Sequence, residues 1–193
     1  MKTQTYHTLL ILFATLTLAT SCTTNYKYKI GVSQCVGGRW RNKANIEMLS
    51  AQHLYDTDVK VIIKDADNSN KRQCQQIDSL VDEGVDLLVV SPNDYHALNG
   101  SLQRARNKNI PIVFYDRTTA LNDYTAYIGG DNIEAGRKMA EYAIMLCRDS
   151  IKTEGRRPIV LEMTGPLEIS PPAQRHKGFS EAMSRETYID YRH

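Results

Sequence analysis

Short runs rich in valine, isoleucine and leucine recur along this chain, and most are followed by a stretch of helical spacing before the next begins. Lys29–Ser33, Val59–Ile63, Val85–Val90, Ile112–Tyr115 and Ala126–Ile128 read as strands, because compact runs of β-formers suit a sheet buried on both faces. Helical stretches separate the earlier ones: Trp40 to Leu54, with Ala44, Met48, Ala51 and Leu54 in step; about Lys71 to Glu83, ended by Gly84; and Leu98 to Arg106. Strands alternating with helices of about a dozen residues mean βαβ crossovers and a mainly parallel sheet.

Beyond the fifth strand, Asp131-Asn132 is placed to cap a long helix running through Cys147. Lys152–Arg157 reads as a charged linker, Ile159–Met163 as a sixth strand and Thr164–Pro172 as a stiff loop. A helix over about Ala173–Ser184 follows, and Tyr188–Tyr191 opens another strand. The expected architecture is therefore α/β, a three-layer αβα Rossmann-like fold. Residues 27–151 form an N-terminal lobe with a parallel sheet, and residues 152–193 begin a second, incomplete lobe.

Residues 1–22 have another character. Lys2 precedes a mostly apolar stretch from Leu9 to Ala19, and Thr20-Ser21-Cys22 follows, which is the pattern of a secretory signal. The stretch falls short of the roughly 20 apolar residues of a membrane span. Leu18–Cys22 also resembles a bacterial lipobox, with Ala19 where a large apolar residue is usual. Export is expected, with Cys22 the candidate lipidation site and a membrane anchor through that lipid or the signal itself.

A formal net charge of +2, with no basic run, argues against nucleic acid as a partner. Cys35, Cys74 and Cys147 are too scattered for a disulfide framework or a metal site, and no cofactor is expected. Cys74 and Cys147 read as small apolar fillers; Cys35 is placed to line a cleft, with no histidine near it to activate a thiolate.

Polar residues gather where each strand ends: Ser33-Gln34, Asp65-Ala66-Asp67, Ser91-Pro92-Asn93-Asp94, Asp116-Arg117 and Thr164-Gly165. Ligands of open α/β sheets bind outside the carboxyl ends of the strands. A carboxylate accepts from hydroxyls and a guanidinium donates to ring and hydroxyl oxygens, so Asp116 and Arg117 together suit a neutral polyol or sugar. They also suit an ion pair that merely tidies a loop.

The order of these phrases resembles the ribose-type (type I) periplasmic sugar-binding proteins, in which a strand ending Asp-Arg precedes an Asp-Asn helix start and a later Arg stands before Gly-Phe. Here these are Asp116-Arg117, Asp131-Asn132 and Arg175 before Gly178-Phe179. The likeness is closer to the periplasmic sensor domains of hybrid two-component histidine kinases of gut Bacteroidetes. It is carried by Ile30–Cys35, Trp40-Arg41, Val85–Asn93 and Tyr124–Gly129 and runs from about Lys27 to the C-terminus. The resemblance implies that Asp116 and Arg117 hydrogen-bond sugar hydroxyls from the first lobe, that Arg175 reaches in from the second, and that Trp40 stacks on the sugar face. It places Asn93 and Asp94 at the cleft edge, and Asp131 as a helix cap with a lesser contact to sugar. Trp40 has the alternative of anchoring a core, Arg175 that of pairing with Glu168, and His176 reads as an exposed helix residue. The sequence departs from the pattern at Val36-Gly37-Gly38, where relatives carry polar residues, and Gly37 removes one hydrogen bond to ligand.

The implied function is non-catalytic recognition of a monosaccharide-like ligand in the periplasm, with closure of two lobes as the mechanism. The partner is a downstream histidine kinase module or, if the chain is instead the substrate-binding lipoprotein of a sugar ABC transporter, a permease. A sugar-responsive repressor would need a helix-turn-helix where the signal-like segment stands. An enzyme using Asp116 as base would need a nucleophile elbow, phosphate loop or metal cluster that the sequence lacks. Residues 152–193 supply only one strand–helix unit and a stub, so this chain alone is expected to bind sugar at roughly millimolar affinity or weaker.

Overall fold

The computed structural model describes residues 26–55 and 58–193; the signal expected over residues 1–22, with Cys22, lies outside them. Strands β1 (Tyr28–Gln34), β2 (Val59–Asp65), β3 (Leu87–Val90), β4 (Ile112–Tyr115) and β5 (Ala126–Ile128) form one sheet. Their order is β2-β1-β3-β4-β5 and every neighbouring pair is parallel. Helices α1 (Arg39–Gln52), α2 (Asn70–Asp82) and α3 (Asn99–Asn107) make the crossovers.

Period-two alternation divides the sheet into two faces. Leu88, Val90, Ile112 and Phe114 point to one of them, where Ile77, Leu80 and Val81 of α2 and Leu102 and Ala105 of α3 close a dry core. Val32, Val89 and Val113 stand in register on the other, opposite one another across β1, β3 and β4. There α1 brings Met48 and Ala51 down beside β1 and β2, and an apolar groove of about 490 Å³ continues towards β4 and Ile128.

The order 2-1-3 fixes where a ligand can go. From β1 the chain crosses one way to β2 and then back past β1 to β3, so the crossovers leave β1 and β3 on opposite faces. A crevice opens outside the carboxyl ends of two such strands. The chain supplies Gln34, Cys35 and Ser91 at that point.

A second, smaller core follows. Helix α4 (Asn132–Glu154) packs along α5 (Ser170–Met183), and strands β6 (Ile159–Leu161) and β7 (Asp190–Arg192) pair in parallel, with Val160 opposite Tyr191. Ala140, Ile144 and Cys147 of α4 are buried with Met183 and Ile189, against Phe179 and Tyr191. The two helices touch backbone to backbone. A Cβ on Gly136 would lie 2.0 Å from the carbonyl oxygen of Arg175, and one on Gly178 would lie 2.0 Å from that of Ile133.

Two sequence expectations change here. Helix α4 runs on through Glu154, ending where Gly155 takes φ +66 and returns its N–H to the Ile151 carbonyl at 2.9 Å. Much of the expected 152–157 linker is thus helix, and the 151/152 boundary falls within α4. Helix α5 starts at Ser170 rather than near Ala173, because Pro171 and Pro172 occupy its first turn, where a missing N–H leaves no hydrogen bond unmade. Among the described residues no helix is long and apolar enough to cross a membrane.

Candidate functional site

At the β1/β3 crevice the first turn of α1 brings a guanidinium into the protein. Arg41 is 4% exposed. A buried cation is tolerated only when its donors are matched. Nη1 of Arg41 donates to Ser91 Oγ at 2.7 Å and, more weakly, to Gln34 Oε1 at 3.4 Å; Nη2 donates to Asp116 Oδ2 at 2.6 Å. The amide of Gln34 is oriented in turn by donating to Asn45 on α1. One side chain thus ties together the ends of β1, β3 and β4.

Asp116 follows β4 in the left-handed region, at φ 62, a conformation aspartate tolerates better than most residues. Its backbone is held from β5: its N–H donates to the Ile128 carbonyl at 2.9 Å, and its carbonyl accepts from the Tyr127 hydroxyl at 3.2 Å. Nε of Arg117 approaches Asp116 Oδ2 at 3.8 Å, and its Nη1 donates to the Pro92 carbonyl at 3.4 Å. Trp40 packs against the same group, with its ring centroid 4.4 Å from the Arg41 guanidinium carbon. It is 53% exposed, which removes the alternative of a core anchor.

Beneath this cluster the structure is polar and largely satisfied. Gln73 is buried on α2; its Nε2 donates to Ser33 Oγ and to the Ser91 carbonyl, and its Oε1 accepts from the Asn93 N–H at 2.8 Å. Asn93 Nδ2 donates to Asn70 Oδ1 at 2.6 Å, so this side chain is engaged within the protein. Asp94 accepts from the backbone N–H groups of His96 and Ala97, which hold its carboxyl below the usual range. Cys35 is fully buried, with Sγ 3.7 Å from Ser91 Oγ; it underlies the crevice instead of lining it. Tyr115 is also buried, and its hydroxyl has no hydrogen-bond partner among the described residues. Burial pushes its phenol well up, and the Arg41 guanidinium opposes that rise.

The other expected residues lie towards the second core. Asp131 caps α4, accepting from the Glu134 N–H at 2.9 Å. Nε of Arg175 donates to Asn132 Oδ1 at 2.9 Å, so its partner is the second residue of the Asp131-Asn132 pair and not Glu168. The Thr118 N–H donates to Ser170 Oγ at 2.8 Å and the Tyr95 N–H to the Glu168 carbonyl at 3.0 Å, joining the two halves. A cavity of about 390 Å³ opens beside this seam, lined by Tyr95, Thr118, Tyr127 and Gln174 among others; Asp131 lines it, whereas Trp40, Asp116 and Arg117 do not. His176 is not an exposed helix residue: Nδ1 lies 2.9 Å from Glu162 Oε2, which also accepts from the Tyr191 hydroxyl. Among the described residues no cluster of histidine, cysteine and acidic side chains could hold a metal ion.

Arg41 is the residue that sequence reasoning passed over, and its signal was present. It extends the Ala44, Met48, Ala51 stripe back by three residues, which puts a charge on the inward face of the helix. A charged residue in an apolar stripe must meet a partner inside.

Comparison with known proteins identifies the family of the fold. A family model described as periplasmic binding protein domain matches residues 30–191. The structure superposes on the fructose-binding periplasmic domain of a hybrid two-component system with a TM-score of 0.71 and 35% identity, covering 86% of this chain and 52% of that one. The ribose import binding protein of Bacillus subtilis is 29% identical over 131 residues, 68% of this chain and 41% of that protein. A solute-binding protein of an ABC transporter from Bacillus halodurans, with bound myo-inositol, shares the fold at a TM-score of 0.72 and 22% identity. The chain spans about half the length of these relatives or less.

Proposed function

The chain belongs to the family of periplasmic binding protein domains, and from that premise we propose that it is a carbohydrate-recognition domain acting as the sensor input of a hybrid two-component system. The observation that carries this reading is the meeting of Asp116, Arg117 and a half-exposed Trp40 at the β1/β3 switch point. A carboxylate accepts from sugar hydroxyls, a guanidinium donates to sugar oxygens, and an indole packs on the C–H face of the ring. No step of bond making is required of these groups, and the reading is of a binding protein without catalysis. Arg175 adds a donor from the second core, while Asn93 braces the crevice through Asn70 and Asp131 lines the neighbouring cavity at the seam.

Ligand bridging the two cores stabilises the closed arrangement by its differential affinity for it, and a downstream histidine kinase module reads that change. The sensor role draws on the 35% identity to the fructose-binding sensor domain. A second reading, delivery to a permease, draws on the ribose import protein. Either role places the chain outside the cytoplasmic membrane; we take residues 1–22 as the export signal, with the anchor a lipid on Cys22 or the signal itself.

Trp40 is the sole tryptophan, so intrinsic fluorescence reports this site directly. Titration with D-fructose, D-ribose and D-xylose is expected to shift its emission saturably with one of them. Asp116→Asn or Arg175→Ala should abolish the shift. Emission unchanged by all three sugars, with calorimetry equally silent, would overturn the reading.

A further inference from the structure

The geometry points to Arg41 as the positioning residue of this site, a group that touches no ligand itself but sets how Asp116 and Trp40 meet one. The inference rests on the carbohydrate reading above and adds a residue to which that reading gives no part.

Three observations converge. First, the fork of Arg41 is anchored on both strands that flank the crevice: Nη1 donates to Ser91 beyond β3 and to Gln34 of β1, which leaves Nη2 aimed at Asp116. The guanidinium is planar, so two anchored nitrogens determine its orientation. Second, both cations near Asp116 use the same carboxylate oxygen. Arg41 Nη2 lies 2.6 Å and Arg117 Nε 3.8 Å from Oδ2, while Oδ1 accepts no hydrogen bond from the described residues. The carboxylate is thereby held by one oxygen, with the other left to accept from a ligand hydroxyl. Third, the guanidinium lies over the Trp40 ring at 4.4 Å, and Trp40 keeps half of its surface exposed. One face of the indole is covered by the guanidinium, and half of the residue stays accessible.

A charge that only neutralised Asp116 would not need this shape. Lysine would neutralise it equally well, but a single ammonium cannot hold Ser91 and Asp116 in one plane or lie flat on an indole. Arg41→Lys therefore separates positioning from charge.

The experiment compares wild type, Arg41→Lys and Arg41→Met by circular dichroism, by acrylamide quenching of Trp40 without sugar, and by titration with D-fructose and D-ribose. Arg41→Lys is expected to retain its helical content, to let acrylamide reach Trp40 about twofold more readily, and to weaken sugar binding about tenfold, the loss of one charge-assisted hydrogen bond. Arg41→Met should show the same changes, enlarged. The proposal is overturned if Arg41→Lys keeps wild-type quenching and affinity, or if both variants unfold, since Arg41 is then a folding element only. If wild type binds neither sugar, the carbohydrate reading is at fault, while the quenching of Arg41→Lys still decides whether Arg41 positions the indole.

Discussion

Nη2 of Arg41, in the first turn of α1, lies 2.6 Å from Oδ2 of Asp116, 75 residues further along the chain at the end of β4. The cation is buried and the carboxylate about one-third exposed, so the two partners are unequal. Removing the carboxylate strands the cation, whereas the carboxylate without its cation still reaches water. Asp116→Ala should therefore destabilise the protein by about 2–3 kcal/mol, below the range for a fully buried pair because Asp116 is partly solvated. Asp116→Asn should cost less, since asparagine accepts the Arg41 hydrogen bond and suits the left-handed backbone. Urea unfolding of the two variants measures the difference, and equal losses would show that the Arg41 hydrogen bond and the left-handed backbone contribute nothing beyond the charge of Asp116.

The contact of α4 with α5 leaves no room for a methyl group at Gly136 or Gly178. Gly178→Ala should lower stability by about 3 kcal/mol, because the obstacle is the Ile133 carbonyl and backbone cannot rotate aside as a side chain can. Hydrogen exchange should show the loss concentrated in α4, α5, β6 and β7, with the amides of β1, β3 and β4 still protected.

Asp131 accepts from the Glu134 N–H, and a helix cap of this kind is worth about 1 kcal/mol. Asp131→Ala should lose that amount in a thermal melt and Asp131→Ser should recover most of it. A serine variant as unstable as the alanine one would assign Asp131 some other role.

The Tyr115 hydroxyl is buried without a partner among the described residues, which costs the native state its desolvation. Tyr115→Phe should be neutral or stabilising by up to about 1 kcal/mol. A clear fall in melting temperature would reveal that the hydroxyl bonds to a group such as Arg41 in solution.

Asp94 has its carboxyl lowered by the N–H groups of His96 and Ala97. A carboxylate whose folded value is depressed adds stability above its ordinary range, and that contribution disappears as the pH falls through the lowered value. The stability difference between wild type and Asp94→Asn should thus be full above about pH 4 and shrink steadily below it, as pH-dependent melts would record.

Strands β4 and β5 were legible to the residue. Each is a short apolar run: β4 lies between Pro111 and Asp116, and β5 ends at Ile128, just before Gly129. Asp116 and Arg117 stood out for the same reason, as charges that stop an apolar run. The end of α4 was not legible, because Arg148–Glu154 is mostly polar and its exposed helix resembles a solvated loop; only Gly155 marks the stop. Arg41 was hidden by the reasonable default that helical arginines face water. Cys35 lies under the crevice and does not line it because its depth depends on strand order, and a run of strands does not say that β1 lies between β2 and β3.

Helix α4 leaves the sheet within four residues of β5 and runs for 23 residues, about 35 Å at 1.5 Å per residue. Gly129, Gly130 and Asp131 are the root of that rod. Pivoting it by about 10° there would carry its far end about 6 Å, by the same length. A sub-ångström adjustment beside Asn132 and Arg175 is thus magnified severalfold at Glu154, much as a pointer enlarges the small turn of its spindle.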